Sequence, residues 1–227
     1  MVQFRQKTGF ILLSAMVLLT LVSCGSGASS APWSAEGEVA FLQGELSING
    51  TSASIGDPVP ADAELITGSG AMAEIIFGSG NVIRLEENSL LRLDLASDSI
   101  SEMDLRRGAV SAVLEGLQRL EGEESLRIRS ATALAGVRGT SFFMKVEEPD
   151  VTYFCLCNGS LDLGTADGDL SPIDAARHDA YRIIRTADGF DVRPAPLLYH
   201  DDDSMQSLAD RIDVSIDWGY SGGYRNE

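Results

Sequence analysis

Residues 126–146, LRIRSATALAGVRGTSFFMKV, and 151–163, VTYFCLCNGSLDL, decide the fold. Leu126, Ile128 and Ser130 alternate with Arg127 and Arg129, the period-two mark of a half-covered strand. Gly136 and Gly139 bracket Val137-Arg138, which predicts a tight corner or a close backbone approach. Ser141–Val146 is strand-like again. Val151, Tyr153, Cys155 and Cys157 fall on one face of the next strand, with Thr152, Phe154 and Leu156 on the other. Asn158-Gly159 then reads as a hairpin turn, and Ser160–Leu163 as its return strand.

The same grammar extends outward over residues 37–200. Short β-rich runs at 38–42, 45–48, 65–67, 71–77, 82–85, 91–95, 103–105 and 109–114 are separated by Gly, Asn, Asp and Pro. Turn signals recurring about every 8–12 residues predict an all-β sandwich, barrel or solenoid-like stack. Residues 116–124 read as an exposed loop or short helical turn, and 174–185 fit helix and strand equally. Met205, Leu208, Ala209 and Ile212 carry helical spacing, with Asp203 as a cap. Residues 213–227 have little pattern and are expected to be a loose tail.

Two sets of residues resemble the FecR domain family. The core Val137-Arg138-Gly139-Thr140-Ser141-Phe142 fits its V-R-G-T-x-F pattern, and Thr67-Gly68, Ala71, Phe77, Gly80 and Ile83-Arg84-Leu85 fit its upstream pattern. The resemblance covers residues 37–164 and implies an all-β, solenoid-like domain. The expected fold is therefore a solenoid-like or sandwich-like stack of short antiparallel strands with a short C-terminal helix. In this reading Arg138, Gly139 and Thr140 form a structural motif. Arg138 pairs with a carboxylate or caps carbonyls, or else receives an anionic ligand; Gly139 serves the bend and Thr140 a local hydroxyl–backbone bond. Full-length regulators of the family carry a cytoplasmic anti-sigma segment and a membrane span. Only a few residues precede the apolar run here, so that role is not expected to carry over.

Residues 1–23 read as a lipoprotein signal peptide. Arg5 and Lys7 precede an apolar run from Gly9 to Val22, and no charge occurs between Thr8 and Ala35. Leu21-Val22-Ser23-Cys24 matches a bacterial lipobox, making Cys24 the expected lipid-attachment site and residues 24–36 a Gly/Ser tether. The expected location is the cell envelope, lipid-anchored and facing the periplasm or exterior, with Gly25 favouring the outer membrane of a Gram-negative cell. Residues 37–164 would be the domain, 165–212 an extension packing on it, and 213–227 the tail. The chain carries a net charge of −17, and losing Arg5 and Lys7 takes this to −19. So acidic a surface disfavours nucleic acid and anionic headgroups as partners. The expected partners are the membrane, through the lipid, and a protein or envelope component.

The chemistry gathers at Cys155 and Cys157. Extended residues two apart place their Cα atoms roughly 6.5–7 Å apart, the upper limit for a disulfide. The only two histidines, His178 and His200, follow in sequence, beside Asp179 and Asp201. Two thiolates and two imidazoles suit tetrahedral zinc, or another transition metal such as copper or iron. The adjacent aspartates would orient the imidazoles. Buried strand cysteines with packing histidines, or a redox pair, are the other readings. The pattern also resembles that of uncharacterised FecR-domain proteins with CxCxG, an HHDAxR-like segment and A-P-x-x-x-H-x-D. Here Arg177 replaces the first of the paired histidines. No Ser-His-Asp order sits in a G-x-S-x-G context, and neither H-E-x-x-H nor a P-loop is present; no enzyme activity is expected. Glu86-Glu87 and Asp201-Asp202-Asp203 read as solvated turns. The expected function is that of a lipid-anchored extracytoplasmic binding, sensory or regulatory module. The alternatives are a metal- or haem-related periplasmic binding protein using the Cys2His2 set, and a structural envelope lipoprotein.

Overall fold

The computed structural model describes residues 36–95, 101–115 and 126–219. Its strands are β1 (Gly37–Gln43), β2 (Leu46–Ile48), β3 (Thr51–Ser52), β4 (Pro58–Val59), β5 (Glu64–Thr67), β6 (Met72–Phe77), β7 (Asn81–Leu85) and β8 (Leu90–Asp94). These are followed by β9 (Glu102–Leu114), β10 (Leu126–Arg129), β11 (Ala133–Glu148), β12 (Val151–Thr165), β13 (Leu170–Ala175), β14 (Asp179–Thr186) and β15 (Gly189–Ala195). One helix, α1 (Asp202–Ala209), and a single 3-10 turn, Asp210–Ile212, close the described chain. The fold is all-β with a short C-terminal helix, as the sequence predicts.

Three strands are longer than expected, and they shape the molecule. The second half of β9 pairs with β7 and with the second half of β11. Its first half pairs with β8 and, in parallel, with β10. Strands β11 and β12 divide in the same way: the first half of β12 pairs with β14 and its second half with β13. One connected sheet therefore folds into two layers. One runs β4-β1-β6-β7-β9-β11-β12-β14-β15, and the other runs β3-β2-β5-β8-β9-β10-β11-β12-β13.

The crossings lie at residues with left-handed backbone: Gly108 (φ 78°), Gly139 (φ 127°) and Gly159 (φ 104°). At Gly108 a side chain is excluded twice, because a Cβ would also lie 2.4 Å from Ser89 Cα. Two expectations are corrected here. The Gly136–Gly139 segment is not a corner between separate strands; β11 runs through it with a register shift between Val137 and Thr140. Asn158-Gly159 is not a hairpin turn but lies inside β12, and the reversal falls at Pro149-Asp150. Paired neighbours on both sides of β12 keep the chain extended, so the positive φ of Gly159 produces a bulge.

The alternation of side chains gives the first layer two apolar faces. Ile75, Phe77, Ile83, Val110, Phe142, Phe154 and Leu156 point into the space between the layers, meeting Leu65, Leu91, Met103, Leu105, Ile128 and Leu161. The opposite face carries Val82, Ala109, Val113, Phe143, Tyr153, Cys155 and Cys157. Met205, Leu208 and Ala209 of α1 cover it, together with Ile216. The helix is capped by Asp201, whose side chain accepts from the Ser204 N–H while Ser204 bonds back. This corrects Asp203 as the cap. Residues 213–219 also depart from a loose tail: Ile216 is buried and its N–H donates to Gln206 Oε1 at 3.1 Å. Among the described residues, no helix is long and apolar enough to cross a membrane.

Candidate metal centre

Cys155 and Cys157 sit in the middle of β12, held by β11 on one side and β14 on the other; Cys155 lies opposite both Phe143 and Ala180. The period-two pleat aims both thiols at the outer face of the first layer. Both are buried and reduced. His178 ends the turn before β14 with left-handed backbone (φ 46°), and its N–H donates to Cys157 O at 3.0 Å. That bond holds its ring above the two sulfurs. Asn158 steadies the same turn, its amide donating to Ala176 O and Asp217 O, each at 2.9 Å.

His200 comes from the segment between β15 and α1. The Tyr153 hydroxyl clamps this segment, donating to Pro196 O at 3.2 Å and accepting from the Leu198 N–H at 3.0 Å. The left-handed Tyr199 (φ 70°) then turns the chain so that the His200 ring stacks on Phe143, 4.5 Å between centroids. The His178 ring lies against Trp218 at 5.2 Å. Aromatic faces thus fix both imidazoles while leaving their ring edges free to bond.

The four donor atoms lie within 4.8 Å of one another. Cys155 Sγ is 3.6 Å from His178 Nδ1, and Cys157 Sγ is 3.3 Å from His200 Nε2. A tetrahedral zinc with Zn–S near 2.3 Å and Zn–N near 2.0–2.1 Å requires S···N separations of about 3.5 Å. The second nitrogen of each ring is already engaged. His178 Nε2 meets Asp202 Oδ1 at 2.6 Å, and His200 Nδ1 meets Leu198 O at 2.9 Å. A carbonyl or a carboxylate can only accept, so each outer nitrogen carries the hydrogen. In the neutral rings the inner nitrogens, Nδ1 of His178 and Nε2 of His200, then turn their lone pairs towards the sulfurs. This is the orientation metal-binding histidines need. Arg177 completes the outer shell by pairing with Asp202.

Charge follows the same geometry. A hydrogen bond from the Cys157 thiol, aided by both histidines, pulls Cys155 below the ordinary thiol value against the effect of burial. Burial pushes Cys157 up. The opposite shifts single out Cys155 as the more acidic of the two sulfurs. Burial pulls His178 down, but hydrogen bonds to Cys155 and Asp202 outweigh it and raise the imidazole above its usual value.

All four predicted ligands are brought together. The aspartates adjacent in sequence do not orient them: Asp179 accepts from the Tyr181 hydroxyl at 2.6 Å, and Asp201 caps α1. Asp202, read in the sequence as part of a solvated turn, takes that place for His178. Tyr153, Asn158 and Trp218 are further site residues, unmarked in the sequence beyond their types. Thr140 Oγ1 makes the local hydroxyl–backbone contact expected, to Ser141 O at 3.4 Å, and a shorter bond to Asn158 O at 2.6 Å across the β11–β12 ladder. The side chain of Arg138 and the whole of Cys24 lie outside the described residues.

The site and fold define a two-layer β platform with a Cys2His2 cluster on its outer face. A family model described as FecR protein matches residues 63–161. That span includes both cysteines, while the two histidines lie beyond it. No curated protein matches the chain. Two crystal structures from Parabacteroides distasonis ATCC 8503, each carrying the provisional description anti-sigma factor, are similar at 15% identity. One, at 2.50 Å resolution, has a TM-score of 0.47 over 58% of this chain and 59% of its own. The other, at 1.65 Å, has a TM-score of 0.48 over 68% and 80%. The chain thus spans under two thirds of the first of these structures.

Proposed function

We propose that this chain is an extracytoplasmic FecR-like binding module that holds a thiophilic metal ion, zinc first, between Cys155, Cys157, His178 and His200. One observation carries the reading: four donor atoms converge within 4.8 Å, with the outer nitrogen of each histidine already bonded to an acceptor. Two thiolates and two imidazoles fill a tetrahedron, which is the composition of closed sites that organise structure. The module is accordingly a binding or regulatory one and not an enzyme. Its platform would be tethered through a lipid on Cys24 and would present its acidic surface to a protein or envelope component. The FecR match over residues 63–161 supports the regulatory class.

Elemental analysis of the purified protein tests the site. One equivalent of zinc or a related ion is expected, and it should be lost when Cys155→Ala and His200→Ala are combined. Metal-free protein of unchanged stability that takes up no zinc on titration would overturn the assignment. Mass spectrometry of the N-terminal peptide tests the anchor, which predicts a diacylglyceryl group on Cys24.

A further inference from the structure

We propose that the ion at this site works as a latch. Its occupancy holds the C-terminal segment, residues 196–219, down on the outer face of the first β layer, and its loss frees the segment to lift. The inference rests on the metal reading above and assigns that site a regulatory role.

The four ligands belong to two mechanical units. Cys155 and Cys157 are embedded in the middle of β12: Cys155 is paired on both sides, and Cys157 lies at the bulge next to it, where its carbonyl accepts from the His178 N–H. His178 is tied to the same strand by its N–H bond to Cys157 O. His200 belongs to the other unit. After β15 ends at Ala195, the described chain makes no further strand pairing. An ion bound by all four residues would therefore join the sheet to a segment that is otherwise attached only by side chains.

A second path runs in parallel. Asp202 is the first residue of α1 and also the partner of His178 Nε2. Arg177, next to His178, pairs with the same carboxylate. Fixing His178 on the ion therefore fixes the start of the helix, two residues beyond the point where His200 fixes the chain. The remaining attachments are all made by side chains: the Tyr199 hydroxyl donates to Glu147 Oε1 at 2.5 Å and its ring lies under Lys145 Nζ, and Arg211 lies over the Phe41 ring. Tyr153 holds Pro196 and Leu198, Arg84 donates to Ser204 O at 3.0 Å, and Arg211 meets Glu74 at 2.5 Å. Asn158 donates to Asp217 O at 2.9 Å.

The segment covers an apolar face. Val82, Ala109, Val113 and Phe143 are buried beneath Met205, Leu208, Ala209 and Ile216. Lifting the cover would expose a contiguous apolar patch, the kind of surface that proteins keep hidden unless it is used. The ion biases this equilibrium because the lifted state has lost His200 from its coordination sphere. The closed state is favoured by up to RT ln(1 + [M]/Kd), about a 100-fold shift at free metal 100 times Kd.

Hydrogen exchange on the full protein tests the latch, comparing zinc-loaded with chelator-treated samples. The Met205 N–H, bonded to Asp201 O, and the Val214 N–H, bonded to Ala209 O, report the cover. Amides of the β7–β9 ladder report the platform. Zinc at 100 times Kd should slow exchange in 201–214 by up to about 100-fold and leave the ladder almost unchanged. His200→Ala should exchange rapidly in 201–214 with or without zinc. Stoichiometric zinc binding with no change in 201–214 would overturn the latch and leave the metal site standing. Equal slowing throughout the protein would also overturn it, since the ion would then only stabilise the whole fold. Failure to bind zinc would overturn both readings.

Discussion

Replacing Glu74 by Gln probes the joint that holds α1 to the platform without touching the metal site. Glu74 is 1% exposed and receives Arg84 Nε at 2.8 Å and Arg84 Nη2 at 2.6 Å on one oxygen. Its other oxygen receives Arg211 Nε at 2.5 Å. Arg84 is itself buried, with 8% of its side chain exposed, while Arg211 is 41% exposed. Removing one partner of a buried pair costs about 3–5 kcal/mol because the other charge is left without its counter-ion. The Arg211 contact adds at most about 1 kcal/mol, since solvent screens it. Gln preserves shape and one acceptor oxygen, which puts Glu74→Gln near the low end, about 3 kcal/mol. Urea unfolding measures it as a lowered midpoint at constant slope. A double replacement, Glu74→Met with Arg84→Met, should recover most of the loss, because an apolar pair of similar volume bears no desolvation cost. A loss below about 1 kcal/mol for Glu74→Gln, or a double variant no better than the single one, would refute the claim that this ion pair is buried and coupled.

Three further outcomes follow from the same structure. Asp202→Ala should weaken zinc affinity by about 10–100-fold in a chelator competition, because His178 loses the acceptor that orients it. Gly108→Ala should cost about 2–5 kcal/mol by chemical denaturation, combining a left-handed backbone with overpacking, since its Cβ would meet Ser89 Cα at 2.4 Å. Glu147 is held below its ordinary value of 4.5, chiefly by its hydrogen bond from Arg182. A depressed carboxylate stabilises the fold above the unfolded value, and this contribution is lost as pH falls through the folded one. The stability gap between the native protein and Glu147→Gln should therefore be widest above pH 4.5 and close on acidification, as followed by urea midpoints across pH.

The all-β class and the ligand set were legible for different reasons. Alternation such as Leu126, Ile128 against Arg127, Arg129 reports one covered face directly. The two cysteines and two histidines stood out because those residue types are scarce in this chain. Asn158-Gly159 misled because a dipeptide that favours positive φ serves a bulge as readily as a turn. The choice was made by β11, β13 and β14 pairing along β12, and that information is long-range. Gly108 and Gly139 hid the crossings between layers in the same way, by looking like breaks. Asp202 was illegible as a partner of His178 because 24 residues separate them. Only the docking of α1 onto β7 and β9 brings the two together. Arg84 has an equally non-local role, joining Glu74 to a helix 120 residues further on.

X-ray absorption at the metal edge of the zinc-loaded protein tests the central claim most directly. Two sulfur neighbours at about 2.3 Å and two nitrogen neighbours at about 2.0–2.1 Å are expected, with no open coordination position. A shell of oxygen and nitrogen without sulfur, or one sulfur with bound water, would contradict it.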